Sequence, residues 1–256
     1  MRKEEKIRVG ISIGDLNGIG GEIILKTLDD NRILDFCTPV IFASSKVMTF
    51  LKNHFQSEIN FNTIHKAEQA IHGKINIVNL WKENINIEFG KEDPKIGAYA
   101  IKSLIAATQE LKIGNIDFLL TAPINKHSIQ SNDFNFPGHT DYLAKELEGH
   151  SLMFMVTDTL KVGLLTDHVP IKDIASHITE DLITSKINTI YNTLVVDFAI
   201  RKPKIAVLGI NPHTGDNGVI GTEDDTVMRP TLKKIRETGK LVFGPYAADR
   251  FFGSNN

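Results

Sequence analysis

Lys204-Ile-Ala-Val-Leu-Gly-Ile-Asn-Pro-His-Thr-Gly-Asp-Asn-Gly218 decides how the chain is read. Its first half, Ile205 to Ile210, is a short apolar run rich in β-branched residues, which suits a buried strand of an α/β sheet. Asn211 to Gly218 then forms a polar loop with two glycines. Thr222-Glu-Asp-Asp225 follows as the capped, acidic first turn of a helix. Open α/β sheets place ligands where a buried strand spills such a loop, beyond the carboxyl ends of their strands. Lys161-Val-Gly-Leu-Leu-Thr-Asp-His-Val-Pro170 repeats the form, with Thr166, Asp167 and His168 at the polar tip. If the two strands are neighbours, His168 and His213 converge on one ion, since neutral imidazole is a common metal ligand. The alternative is that each is a loop histidine that faces solvent or serves as a structural hydrogen bonder. Spacing alone does not decide, because the chain has neither HExxH nor Cys/His finger spacing.

Bulk properties narrow the field. A chain of 256 residues can bury one large core or two lobes, and 41% apolar with 23% charged residues is ordinary for a globular protein. A net charge of −2 without a basic run gives no reason to expect nucleic acid or an anionic membrane as partner. The lone cysteine, Cys37, excludes an intrachain disulfide and points to a reducing cytoplasm, with a structural thiol preferred over a nucleophile. The N-terminal residues are charged, and the sequence shows no signal peptide and no apolar span of membrane length.

Outward from the opening stretch, strands alternate with helices. Ile7, Val9, Ile11 and Ile13 mark a first strand. It ends in Gly14-Asp-Leu-Asn-Gly-Ile-Gly-Gly-Glu22, a glycine-rich turn before a helix from Glu22 to Leu28. That layout suits a phosphate loop, but a tight βα turn needs glycines without any ligand. Further strands are expected at 38–43, at Ile75 to Val78, at Ile85 and Ile87, and at 116–121. Helices are expected over 44–55 and 97–112, the latter with Ile101, Leu104, Ile105, Thr108 and Leu111 on one face. Trp81 is read as a packing residue. Lys126 and His127 follow a strand end, and Thr140 is expected to cap a helix through Leu147, where His139 and Thr140 could hold an anion. A hairpin at Asp158, a helix from Thr179 to Phe198 and a helix over 222–237 broken at Pro230 complete the pattern. It predicts an α/β protein with a largely parallel sheet and one hairpin. A lobe boundary, if present, is placed near 122–138.

Six stretches then coincide in order: 14–22, Thr121-Ala-Pro-Ile-Asn-Lys126, Gly138-His-Thr-Asp-Tyr142, Thr166-Asp-His-Val-Pro170, Asn211-Pro-His-Thr-Gly215 and Gly244-Pro-Tyr-Ala-Ala-Asp249. Together they resemble the 4-hydroxythreonine-4-phosphate dehydrogenase family of vitamin B6 synthesis, over residues 8 to 252. The resemblance implies an isocitrate/isopropylmalate-dehydrogenase-like fold, two α/β/α lobes around a cleft. It also implies a cytoplasmic homodimer with its active site at the subunit interface, NAD or NADP as cofactor, and a divalent metal (zinc, magnesium or cobalt). His168 and His213 match two of three metal-binding histidines, His139 and Thr140 match substrate-binding positions, and Asp249 matches an acidic residue near the site, for which the resemblance implies a catalytic role.

Two departures accompany it. Gly21 stands where the family carries proline. The family's third histidine, and its substrate-binding lysine, asparagine and arginine, match no position of this chain. The sequence is therefore read as one two-lobed unit shortened at its C-terminus, with little or no turnover expected from it alone. A sister enzyme acting on threonate or erythronate 4-phosphate, a metal-free phosphate acyltransferase of the same broad fold, and a non-catalytic binding remnant are the other readings.

Overall fold

The computed structural model describes residues 6–132 and 134–253. The charged N-terminal stretch, apart from Lys6, lies outside the described residues, as do 133 and 254–256. The chain divides into two compact units, Met1–Glu148 and Gly149–Asn256. The division falls beyond the 122–138 stretch expected from sequence. The reason is packing: Ile129 and Phe134 from that stretch are buried with Ala100, Leu104 and Tyr142, so the connection belongs to the first core.

In the first unit the elements run β1 (Ile7–Ser12), α1 (Gly20–Leu28), α2 (Ile33–Phe36), β2 (Cys37–Ala43), α3 (Ser45–His54), β3 (Phe61–Ile64), β4 (Ile75–Asn79), α4 (Pro94–Lys112), β5 (Phe118–Thr121) and α5 (His139–Glu146). The five strands are parallel in the order β3-β4-β2-β1-β5. Alternation sends Ile11, Ile41 and Ile77 to one face, with α1 and α3 residues such as Leu25, Met48 and Leu51. Val40, Phe42 and Val78 go to the other face, with Ala107 of α4. Covering both faces is what an all-parallel sheet requires.

Helix α4 begins three residues before the expected Gly97. Asp93 caps it, its Oδ1 accepting from the Lys95 amide at 2.8 Å, and Pro94 occupies the first turn. Gly97 sits inside the helix because Ser128 O passes 1.9 Å from where its Cβ would stand. Ile85 and Ile87 form no strand. That backbone is held instead by Asn17, whose Oδ1 accepts from Glu88 N at 2.9 Å and whose carbonyl accepts from Gly90 N at 2.8 Å. Trp81 is buried among the core residues, as a packing role requires.

The second unit contains β6 (Phe154–Val156) and β7 (Lys161–Gly163), then α6 (Ile174–His177), α7 (Glu180–Val196), β8 (Lys204–Leu208), α8 (Arg229–Glu237), β9 (Leu241–Tyr246) and α9 (Ala248–Phe251). Strands β6 and β7 are the expected antiparallel hairpin, closed by Thr157 N donating to Leu160 O at 2.8 Å. Thr179 caps α7 through the Leu182 amide. Strands β8 and β9 are parallel, and Ile205, Val207 and Val242 pack on Ile183, Ile187, Leu232 and Ile235. The break at Pro230 is a wider helical turn over Asp224–Met228. Pro230 has no N–H to donate, and Arg229 N reaches back to Asp224 O.

Candidate active site

Strand β1 is where the sheet order of the first unit reverses, the position at which open α/β sheets receive ligands. Two loops leave there, one after β1 and one after β5. Gly14, at φ +70°, lets them close: a Cβ would lie 2.3 Å from Pro123 O, and Asp15 N donates to that same oxygen at 2.9 Å. Asn17 is buried, and its Nδ2 donates to Lys91 O at 2.9 Å. The glycine-rich turn is thus bonded to protein, as a tight turn without ligand would be. Gly21, where the family carries proline, faces Leu51 Cδ1 at 2.6 Å from a built Cβ, so α1 and α3 pack closely there.

At the mouth of this crevice sit Asp15, Glu92, Asn125, Lys126 and His127. Burial raises the Asp15 pKa above its ordinary value; a hydrogen bond from the Asn17 backbone opposes this and the Glu92 charge adds to it. Asn125 Nδ2 donates to Glu92 Oε1 at 2.9 Å, and His127 Nδ1 lies 3.7 Å from Glu92 Oε2. The exposed Lys126 runs past the start of α5, with Cε 3.8 Å from a Cβ built at Gly138. Gly138, not Thr140, is the N-cap, and it offers no side-chain cap; Thr140 lies within the first turn. The reason is that the chain is still extended at Gly138 and turns helical from His139. His139 is half-buried, its Nε2 is buried without a hydrogen-bond partner, and burial lowers its pKa. A buried, unpaired ring nitrogen beside free helix amides and a lysine suits an anionic oxygen ligand.

The second unit carries the other candidates. The His213 ring is fixed by Asp249: Nδ1 lies 2.8 Å from Asp249 Oδ2, and the His213 amide reaches Oδ1 at a long 3.4 Å. The Asp249 carboxyl is held below its ordinary pKa. Desolvation pushes it upward, but backbone N–H groups of Asp249 and His213 and the charges of His213 and Arg250 outweigh that. The loop bearing His213 turns left-handed, with φ of 54° at His213, 57° at Thr214, 46° at Asp216 and 55° at Asn217, and positive φ at Gly215 and Gly218. A β-branched residue such as Thr214 is rarely held there, and the cost is of order 1–2 kcal/mol per residue. Tight closure holds it. A Cβ on Gly215 would strike Gly221 O at 2.2 Å, and the fully buried Asp224 anchors the loop base. Asp224 accepts from the amides of Ile210 and Asn211 at 3.0 and 3.1 Å, and from Asn211 Nδ2 at 3.0 Å. Within Thr222–Asp225, Asp224 has the sequence pattern of a helix-turn charge; its anchoring role depends on a contact 13 residues back.

His168 is exposed and also left-handed, at φ 52°. Both candidate ligands therefore stand in strained backbone, a feature that concentrates at functional sites. Structure brings His213 and Asp249 together, and Lys126 to the start of α5. Among the described residues no three His, Cys, Asp or Glu side chains gather into a metal cage. His213 itself fits a metal ligand, because a carboxylate on Nδ1 leaves the Nε2 lone pair outward.

Residues 35–256 match the family described as pyridoxal phosphate biosynthetic protein PdxA. The chain belongs to the PdxA family. This PdxA-family chain is 42% identical over 256 residues, 99% of its length, to a 4-hydroxythreonine-4-phosphate dehydrogenase of Bacteroides thetaiotaomicron, of which it covers 70%. It is 30% identical over 251 residues to a Clostridium botulinum protein named provisionally as a D-threonate 4-phosphate dehydrogenase, covering 95% of this chain and 74% of that one. A crystal structure of a 4-hydroxythreonine-4-phosphate dehydrogenase from Burkholderia phymatum superposes with a TM-score of 0.85 at 29% identity, over 98% of this chain and 77% of that one. The fold is isocitrate/isopropylmalate-dehydrogenase-like, and the PdxA-family chain is an enzyme whose relatives are named dehydrogenases. Among the described residues no helix is long and apolar enough to cross a membrane.

Proposed function

We propose that this chain serves the oxidation of 4-phosphooxy-L-threonine to 2-amino-3-oxo-4-phosphooxybutanoate with NAD or NADP, in vitamin B6 synthesis. The product is a β-keto acid and loses carbon dioxide to give 3-amino-2-oxopropyl phosphate. The observation that carries this reading is the 42% identity with the Bacteroides dehydrogenase along nearly the whole chain. The resemblance further assigns a homodimer whose active site lies at the subunit interface.

His168 and His213 would hold the divalent ion, be it zinc, magnesium or cobalt; bound there, it would polarise the C3 oxygen as a Lewis acid. The chain's own groups do the rest. Asp249 accepts the Nδ1 proton of His213 and so fixes ring and tautomer, a positioning role in place of the catalytic one implied by resemblance. Lys126, the first amides of α5, Thr140 and the unpaired Nε2 of His139 anchor the anionic substrate. Oriented binding of this kind turns a loose encounter into an aligned one.

The Clostridium relative supports a second reading, in which a hydroxyl replaces the amino group at C2 and the substrate is D-threonate 4-phosphate. The test is calorimetry of both phosphorylated compounds with the chain, zinc present, beside NAD(P) reduction with each. Tighter binding of 4-phosphooxy-L-threonine is expected, with little or no NAD(P) reduction by this chain alone. The reverse ranking establishes the second reading, and binding of neither compound overturns both.

A further inference from the structure

A cavity of about 740 Å³ opens in the first unit where β3 and β4 begin, with Phe61 and Ile75 in its lining. Sites for small molecules occupy roughly 300–1,000 Å³. The loops of the candidate active site leave the opposite, carboxyl ends of the parallel strands, at β1 and β5, so this cavity is no part of that site.

Three segments wall the cavity, and side chains tie each one down. Ser57 Oγ donates to Asp29 Oδ1 at 3.0 Å, joining the connection after α3 to the end of α1. Lys6 Nζ donates to Leu34 O at 2.7 Å and holds α2. The turn before β4 is gripped by Asn76, which is fully buried. Its Nδ2 donates to Lys74 O at 2.9 Å, and its Oδ1 accepts from Asn62 Nδ2 at 2.8 Å. A buried residue that fixes a lining residue is the support that a preformed site needs. Gln56 adds a second sign. It stands at φ 53° just after α3, where the Ser57 amide reaches back to Lys52 O. Glycine is the favoured residue at such a helix end. The chain instead places a glutamine there, and that residue lines the cavity.

The lining selects the ligand. Asn31, Gln56, Asn60 and Asn62 contribute amides, and among the described residues the first three have no side-chain hydrogen bond. Each amide offers a donor group and an acceptor, which matches neighbouring hydroxyls. An anion would meet the carboxylates of Asp29 and Glu58, with Lys74 as the one cation in the lining. Those two carboxylates make no cage for a metal ion. An apolar ligand would strand the amides away from water. Leu34 and the half-buried Phe61 supply an apolar wall for the C–H face of a ring.

We propose that this cavity binds a neutral polyhydroxylated molecule, a sugar or polyol of mono- to disaccharide size, through the amides of Asn31, Gln56, Asn60 and Asn62.

The full 256-residue chain is titrated with D-glucose, maltose and xylitol, and separately with inorganic phosphate and calcium chloride. Binding is read from backbone amide chemical shifts. At least one of the three hydroxylated compounds should saturate, with its shifts centred on 29–34, 56–62 and 73–75. Gln56→Gly suits the left-handed backbone and keeps the fold, yet should weaken that binding about three- to tenfold, the loss of one hydrogen bond. Asn60→Ala, at an exposed position without a side-chain partner, should weaken it by about the same factor. A fall in either variant supports the assignment, and unchanged affinity in both overturns it. Saturation centred on other residues, or no saturation by any of the three, overturns it as well. Saturation by phosphate or calcium alone overturns it in favour of an ion site.

Discussion

At the scale of single residues, the informative pair is His213 and Asp249. An imidazole that donates Nδ1–H to a carboxylate is locked in one tautomer, and its Nε2 lone pair points elsewhere. Asp249→Asn keeps the shape but removes the charge that orients the ring. Divalent-metal affinity should then fall about 10- to 100-fold, measured by zinc titration calorimetry, with imidazole nitrogen NMR reporting loss of the Nδ1–H tautomer. If affinity and tautomer are both unchanged, Asp249 does not position His213. Much of this was legible: His168, His213 and Asp249 were all named from motifs. Their pairing was not, because 36 residues separate His213 from Asp249 and no local pattern encodes such a contact. Asp224 and Asn17 were missed for the same reason. Asp224 looked like a helix-turn charge and Asn17 like a turn residue, yet each is buried and satisfied by backbone groups distant in sequence.

At the scale of elements, close approach decides more than propensity. Gly97 sits in the first turns of α4, where alanine would gain about 1 kcal/mol of helix propensity. The backbone oxygen of Ser128 lies 1.9 Å from the built Cβ, so the loop after β5 must move to accept it. Overpacking against backbone commonly costs 1–3 kcal/mol or more. Gly97→Ala should therefore destabilise by roughly 2 kcal/mol net, read from the denaturant midpoint of the first unit. A stability gain would show that this contact relaxes freely. The apolar periodicity places α4 from Gly97, three residues late, because the first turn is set by the Asp93 cap and Pro94 and not by that periodicity. The strand expected at Ile85 and Ile87 failed for the opposite reason. Its alternation is real, but among the described residues it pairs with no strand, and the Asn17 side chain and carbonyl take up amides of that segment.

At the scale of the whole molecule, buried ionisable groups set how stability responds to pH. His139 has its pKa lowered below 6.5 by burial. In the window between that depressed value and 6.5 the unfolded chain binds the extra proton and the folded chain does not, so stability falls as pH falls. Below the folded value both states are protonated and this contribution levels off. The thermal midpoint should therefore drop as pH is lowered through 6.5, and His139→Gln should flatten the slope there, measured by calorimetry from pH 7.5 to 5. An equal slope in the variant would remove His139 from the linkage.

What the sequence determined by itself was order and kind. Period-two runs, glycine turns and capped periodic helices specify a largely parallel α/β chain with one hairpin, because each signal is local and acts within a few residues. Six short motifs in sequence pointed to the family. Tertiary structure alone decided which groups meet: Asp249 on His213, Asp224 under the loop, Lys126 at the start of α5, and Ile129 and Phe134 inside the first core. These facts depend on packing between segments far apart in the chain, whose burial and hydrogen bonding no local pattern can assign.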